Sequence, residues 1–476
     1  MPSPSSLTAI PAPRTVSVNP AWHYHFLGIG GVGMSAVAQI LHRRGVRVSG
    51  SDAADSPTLR RLAAGGIAVC VGHDPGALRE ADAVVYTPAV PPRHPIWEEV
   101  RRLGLPRIHR AELLGALTAG LRTLAVAGTH GKTTSSAALG WALERAGWDP
   151  TIVVGGLVEQ FGGGNVRVGG GAWCVVEADE SDGSFVHLSP EAILLTNVEA
   201  DHLDHHGSLE NVVAAFRAFT ARLAPGGVLV YCADDPAAAA LARQHPGRSL
   251  GYGAGAGAAV RVAVRGMRPG AMELELTEGA ARHRLTSRLG GAHNALNLAG
   301  VFALGRAVGL PAEPLLAALA EFGGVARRQQ FLGHCTPPGG RPFALFDDYA
   351  HHPTEIRATL EMFLAVHGAP LTVVFQPHLY SRTAQFADAF AAALRPAAAV
   401  FVTEVYGARE QPLPGVSGRM IVERLAGHPR ARFVPTWEEL VPRLLGAEAP
   451  SKLLLTLGAG DITGLGPALL RACAPR

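Results

Sequence analysis

Apolar residues in this chain fall mostly in short unbroken runs that end at glycine, and helical-period stretches follow them. Tyr24–Leu27, Val46–Val48 and Ala83–Tyr86 read as strands, and Met34–Arg44 between the first two reads as a helix. Unbroken apolar runs alternating with helices predict βαβ units and a parallel sheet. This first unit closes near residue 120. A second begins with a strand at Leu124–Ala127, enters a helix after Lys132, and continues through strands at Trp173–Val176 and Ala192–Thr196. Residues 251–290 differ. They hold short alternating stretches such as Met272-Glu273-Leu274-Glu275-Leu276, which predict a small β-meander inserted in the second unit. A third unit starts near Phe331, with strands at Phe343–Phe346, Leu371–Phe375, Val400–Thr403 and Leu453–Leu457. The expected organisation is a flexible lead-in over 1–20, then three α/β domains at 21–120, 121–328 and 329–476.

Composition narrows the classes. The 476 residues are 48% apolar with a formal charge of +3, enough for sizeable cores and without the basic excess of a nucleic-acid binder. Nearly all basic residues are arginine; Lys132 and Lys452 are the lysines, so any role needing an amine has two candidates. The five cysteines are scattered with no CxxC pair, which argues for a reducing compartment and against a disulfide framework or zinc site. The first twenty residues lack the apolar core of a signal peptide, and no apolar run is long enough to span a membrane. A cytoplasmic protein is expected.

Two glycine turns carry the chemistry. Gly28-Ile29-Gly30-Gly31-Val32-Gly33 satisfies GxGxxG between a strand and a helix, and Asp52 follows the second strand where an acidic residue would reach a ribose. Such a turn lets the backbone approach a diphosphate at a helix N-terminus. Taken alone it fits NAD, FAD, another dinucleotide-like ligand, or plain glycine packing. The second turn, Gly128-Thr129-His130-Gly131-Lys132-Thr133-Thr134, has the form of a short phosphate loop. Its N–H groups would cradle phosphates, Lys132 would reach the β/γ oxygens, and Thr133 would hold Mg²⁺. Glu177-Ala178-Asp179-Glu180-Ser181-Asp182 ends a strand beside it and suits Mg²⁺, or else is a solvated acidic turn. In the segment Thr196 to His206, three clustered histidines fit either a zinc cluster or one histidine joining a carboxylate-bound Mg²⁺. A chain with an ATP loop and a separate nucleotide fingerprint is better read as activating one substrate while gripping a nucleotide-tagged one than as a plain dehydrogenase.

GTHGKTT, EADESD and NVEADHLDHHG, in this order and spacing, resemble the central ATPase domain of the Mur ligases. So do His293-Asn294-Ala295-Leu296-Asn297 and Arg327-Arg328 toward its end, while Asp347-Asp348-Tyr349-Ala350-His351-His352, Gln376-Pro377-His378 and Gly458-Ala459-Gly460-Asp461 resemble the third domain of the same family. The resemblance covers nearly the whole chain from about residue 22. It implies an N-terminal Rossmann-like UDP-binding domain, a central P-loop ATPase-type domain with the β insertion, and a C-terminal Rossmann-like domain. It also implies ATP, two Mg²⁺ ions, and the substrates UDP-N-acetylmuramic acid and L-alanine, with no nucleic acid or membrane partner. Gly128, Thr129, His130, Gly131, Lys132, Thr133, Thr134, His293, Asn294 and Asn297 would hold ATP. Thr133, Glu177 and His202 would hold metal. Lys132, Arg327, Arg328, His351 and His378 would act in catalysis. Gly30, Gly31, Gly33, Ser35, Asp52, Thr87, Ser181, Tyr349, His351 and Arg382 would contact substrates. GIGGVGMS resembles the L-alanine-adding branch. The absence of any lysine between Lys132 and Lys452 removes the carbamoylated lysine common in later-acting branches. A peptide-recycling ligase is the nearest alternative, and an NAD-dependent dehydrogenase the alternative from another class. Three departures stand out: Thr87-Pro88-Ala89-Val90 for Ser-Ser-Ala-Ile, Leu379 where arginine is usual, and Gln329-Gln330 for an aromatic–acidic pair.

Overall fold

A computed structural model describes residues 16–408, 410–446, 448–450 and 452–473. The lead-in expected over 1–20 therefore lies mostly outside the described residues. Within it, Val16 and Val18 pack on the first core and the Asn19 N–H donates to the Tyr24 hydroxyl.

Three sheets organise the chain. The first holds β1 (His23–Leu27), β2 (Arg47–Asp52), β3 (Ala68–Val71), β4 (Ala83–Tyr86) and β5 (Arg107–His109), in the order β3-β2-β1-β4-β5 and all parallel. The order reverses at β1/β4, the switch point beside which α/β folds bind nucleotides. β2 runs four residues beyond its expected end because Leu27 and Ser51 are still in register. The helix after β1 spans Val32–Arg43 and starts earlier than expected, with Gly31 as its N-cap.

The second sheet holds β6 (Arg122–Ala127), β7 (Thr151–Val158), β8 (Gly164–Arg167), β9 (Trp173–Glu177), β10 (Ala192–Leu195), β11 (Val228–Cys232), β12 (Arg248–Gly253) and β13 (Val260–Arg268). Its order is β13-β12-β11-β10-β6-β9-β7-β8. β6, β9 and β10 are parallel neighbours, so the residues after their C-terminal ends meet at one edge. The expected meander is the run from β13 into β14 (Ala271–Glu278) and β15 (Ala281–Ser287), which extends the sheet. β7 and β8 were not expected: glycines at 155, 156 and 162–164 break the apolar runs by which a strand is recognised.

The third sheet takes β16 (Gln330–Cys335), β17 (Phe343–Asp348), β18 (Leu371–Phe375), β19 (Ala399–Val402), β20 (Ala431–Phe433) and β21 (Leu453–Leu457), in the order β16-β17-β21-β18-β19-β20. Only β16, on the edge, runs antiparallel to its neighbour. Cys335 at its end is bonded to Cys473 in the helix Leu465–Cys473, with Cα atoms 5.6 Å apart. This corrects the expectation of no disulfide. The two are 138 residues apart in sequence, and only the packing of that helix brings them together. Cys70, Cys174 and Cys232 are free thiols.

By compactness the chain forms two units. One takes residues through Arg261 with Thr277–Ala281 and Asn297–Leu319; the other takes Val262–Leu276, Arg282–Leu296 and the chain from Ala320 on. Among the described residues no helix is long and apolar enough to cross a membrane.

Candidate active site

In the first unit, the turn between β6 and the helix Lys132–Arg145 is fixed from outside by the end of β10. The Asn197 carboxamide accepts from the His130 N–H (2.8 Å) and donates to the His130 carbonyl, while the Thr196 hydroxyl donates to the same carbonyl (2.6 Å). Gly128 (φ +136°) and Gly131 (φ +82°) are required here. A Cβ on the first would lie 2.0 Å from Thr196 Oγ1, and one on the second 2.3 Å from Asn297 Oδ1. Asn297 thus lies against the loop. Thr129 accepts from the Glu199 N–H, and His130 Nε2 is 3.3 Å from Glu199.

Lys132 Nζ donates to the carbonyls of Gly128 (2.6 Å) and Thr129 (3.0 Å) and lies 2.9 Å from both carboxylate oxygens of Glu180. Burial alone would lower the ammonium, but Glu180, Asp179 and Glu177 together raise it. Burial pushes Glu180 up to about 7, against the pull of Lys132. Thr133 Oγ1 donates to Glu177 (2.9 Å), whose carboxyl is raised by burial with Lys132, the Gly155 N–H and Thr133 opposing. A half-buried carboxylate paired with a hydroxyl is a hard-oxygen donor set of the kind Mg²⁺ takes. His202, at φ +51°, has Nε2 3.8 Å from Asp201.

The glycine cradle of the first sheet belongs to the same unit. Gly28 N–H and Ile29 N–H donate to the Ser51 carbonyl, Gly30 N–H donates to Asp52 (2.8 Å), and the Thr87 methyl lies against Gly28. Asp52 therefore shapes the turn itself. Ser35 is fully buried with its hydroxyl on the Val32 carbonyl, so it holds the helix start from within. Asn165 of β8 donates to that carbonyl as well (2.7 Å). Ser181 N–H donates to Asp179, and Asp179 and Asp182 pair with Arg110 at 3.6 and 3.0 Å.

In the second unit, Arg327 (φ +60°) is spent on structure. Its guanidinium bonds the buried Asp347 (3.0 Å) and the Gly458 carbonyl (2.5 Å), and Asp347 also accepts from Thr456 and Thr463. Arg328 lies 3.6 Å from Glu355, and both guanidiniums sit near the Tyr349 ring, 5.1 and 5.2 Å from its centre. Around Tyr349 stand His351 (rings 5.1 Å apart), then His378 (5.7 Å from His351), then Tyr406 stacked on His378. His351 Nδ1 bonds the Tyr349 carbonyl (3.0 Å), which makes Nδ1 the donor and Nε2 the acceptor nitrogen. Arg382, 5% exposed, directs Nη1 at His378 Nδ1 (3.4 Å). His293 is paired with Gln329 (3.0 Å) and pushed down to about 4, by burial first and then by Arg328. His293 and Asn297, expected on one ATP-facing helix side, fall in different units.

Three domain models match in series: the Mur ligase family catalytic domain at residues 23–122, the Mur ligase middle domain at 126–305, and the Mur ligase glutamate ligase domain at 327–460. The chain belongs to the Mur ligase family. A UDP-N-acetylmuramate--L-alanine ligase of Kineococcus radiotolerans is 46% identical over 463 residues, covering 95% of this chain and 96% of that one. A protein of the same name from Renibacterium salmoninarum is 43% identical, covering 97% and 98%. The crystal structure of a UDP-N-acetylmuramate-alanine ligase from Thermotoga maritima superposes with a TM-score of 0.80 at 30% identity, covering 94% and 98%.

Two departures from the Mur ligase pattern have physical explanations. Leu379 is buried (3% exposed) at φ +69°, with its N–H on the Tyr406 carbonyl, so a charged side chain has no solvent there; Arg382, in the next turn, brings a guanidinium to His378. Gln329 clasps Gly290 and His293, and Gln330 accepts from the Arg327 N–H. Sequence reasoning missed Glu180, Asn165, Thr196, Asn197 and Arg110 as site residues. Only the acidic run and the polar pair after β10 hinted at any of them.

Proposed function

We propose that this Mur ligase joins L-alanine to UDP-N-acetylmuramic acid with ATP, through an acyl phosphate. The observation that carries the reading is the loop 177–182. It ties the phosphate loop through Glu177 and Glu180 and, through Asp179 and Asp182, reaches Arg110 beside the glycine cradle. Full-length similarity to UDP-N-acetylmuramate--L-alanine ligases supports the choice of substrates.

The lactyl carboxylate attacks the γ-phosphorus of ATP, giving an acyl phosphate and ADP. The amine of L-alanine then attacks the acyl carbon and phosphate leaves. The protein's main task is to gather anions against their repulsion. Lys132 places a fixed charge on the transferred phosphoryl group, and the N–H groups from Gly128 to Thr134 cradle the nucleotide. Mg²⁺, when bound, screens phosphate charge; Thr133 and Glu177 would hold one ion and His202 a second. Arg328 meets the reacting carboxylate, while Arg327 positions Tyr349 and Asp347. Tyr349, His378 and Arg382 line the amino-acid pocket, Arg382 meeting the L-alanine carboxylate. His351, with its lone pair on Nε2, takes the ammonium proton of L-alanine. The water-soluble substrates of this reaction support a cytoplasmic location.

The test is phosphate release with ATP, Mg²⁺ and UDP-N-acetylmuramic acid, comparing L-alanine with a tripeptide beginning L-Ala-γ-D-Glu. Release that requires L-alanine, with a product heavier by one alanyl residue, supports the proposal. Release with the tripeptide alone would make this a recycling ligase. Oxidation of NADH without release would return the dehydrogenase reading.

A further inference from the structure

Polar side chains on one face of the β1/β2 pair form an unbroken row. His23 and His25 are two apart on β1, Ser49 and Ser51 two apart on β2, and His25 stands opposite Ser49. His23 Nδ1 lies 2.9 Å from the Glu80 carbonyl and its Nε2 2.8 Å from Ser49 Oγ. Ser49 Oγ is 2.8 Å from His25 Nδ1, and His25 Nε2 is 3.3 Å from Ser51 Oγ. Ser51 Oγ ends the row 2.7 Å from His73 Nδ1. His23 and His25 are 7% and 2% exposed, so the bonds between them are made away from solvent.

The row has a direction. A carbonyl oxygen only accepts, so neutral His23 carries its proton on Nδ1 and accepts from the Ser49 hydroxyl at Nε2. Ser49 has no second proton, so His25 donates to it from Nδ1 and accepts from Ser51 at Nε2. Ser51 in turn accepts from His73 Nδ1–H. Burial pushes His25 down to about 4 and also lowers His73, where His94 adds to the effect and Asp52 opposes it. Neutral His73 is left with a lone pair on Nε2, which no described residue meets. The ring is partly buried in the loop after β3, edge-on to His94 from the loop after β4, with ring centres 5.1 Å apart. Its partner Ser51 also receives the Gly28 and Ile29 N–H groups on its carbonyl, so His73 stands beside the glycine cradle.

Resting on the function proposed above, we propose that His23, Ser49, His25 and Ser51 are positioning residues that set the tautomer of His73, so that this ring meets a donor group of the UDP-linked substrate as an acceptor at Nε2. An imidazole without such a row can carry its proton on either nitrogen, and the other tautomer would oppose a donor with a donor.

Imidazole nitrogen NMR of the full chain reads the tautomer directly. Wild type should show His73 protonated at Nδ1 alone, and Ser49→Ala should give a mixture of both tautomers. Folded wild type with the His73 proton on Nε2 would overturn the proposal, whatever the variants do. Calorimetry with UDP as probe tests the link to the substrate. Ser49→Ala should weaken UDP roughly three- to tenfold, the worth of one hydrogen bond. In a His73→Ala background the same change should cost nothing further, and the KM for ATP should not move in either. An equal loss in both backgrounds would make Ser49 a packing residue and overturn the relay, as would unchanged UDP binding in His73→Ala. Wild-type protein that binds UDP without L-alanine-dependent phosphate release would sink the functional reading and leave the tautomer and the UDP comparison readable. Wild-type protein that does not bind UDP would sink this inference too.

Discussion

Lys132 is held by two backbone carbonyls and a buried carboxylate before any phosphate is considered, so its charge is fixed in place and not supplied by a roaming side chain. Lys132→Ala should lower turnover by on the order of 10³-fold, the scale of a positioned transition-state charge. Steady-state rates of protein with an unchanged circular dichroism spectrum check it. His351→Gln should lower kcat by about 10²-fold where the wild-type ring is neutral and lose least at low pH, where that ring is already protonated, as expected on removing a general base; the pH–rate profile reads this. His25 gives a stability prediction. Bonded to Ser49 and Ser51, it is pushed down to about 4 by burial, with His23 and His73 adding to the effect. Folded protein then keeps this ring neutral between about pH 6.5 and 4 while the unfolded chain protonates, so stability falls as pH falls through that window. At pH 5 the loss is about 2 kcal/mol. Urea midpoints against pH should show a flatter slope for His25→Gln. Lys132 and Thr133 were legible in sequence because they share one short phosphate-loop motif, and Glu177 because it opens an acidic run at the end of an apolar strand. Glu180 and Arg110 were not, since their partners lie 48 and 72 residues away.

Among the elements, the phosphate loop has least freedom. Gly128→Ala would put a methyl group within 2.0 Å of Thr196 Oγ1 at φ +136°. We expect destabilisation of about 3 kcal/mol or more, from strain and overpacking together, with loss of ATP binding; urea denaturation and nucleotide titration measure both. Strands buried on both faces, such as β6, β9 and β10, were read correctly since nothing polar interrupts them. β7 escaped notice because Gly155, against the Glu177 carboxylate, interrupts its apolar pattern, and β8 because it follows directly on Gly162 and Gly163. The meander was read as strands, but its continuation of the central sheet depends on β13 pairing with β12, which alternation alone does not encode.

For the molecule as a whole, three α/β sheets in series could be read from the alternation of elements, and the motifs named the family. The partition of roles between Arg327 and Arg328 could not, because it depends on Asp347 and Gly458, which neighbour Arg327 only in the fold. UDP-N-acetylmuramic acid at a hundredfold excess over its Kd should slow amide exchange about a hundredfold in the cradle Gly28–Gly33. The loop 177–182 should slow with it, through Arg110. Exchange mass spectrometry showing protection in the cradle alone would separate the two.

The same loop has a genetic consequence. Its residues alternate in allegiance, with 177 and 180 turned to the phosphate loop and 179 and 182 to Arg110. Losing or gaining a single codon within it would spoil both sets of contacts in one step, whereas a substitution can spoil only one. Natural variation in this segment should therefore consist of replacements and not of gaps, and a library of one-codon deletions scanned across it should yield no survivor that keeps even half of the activity's two binding steps.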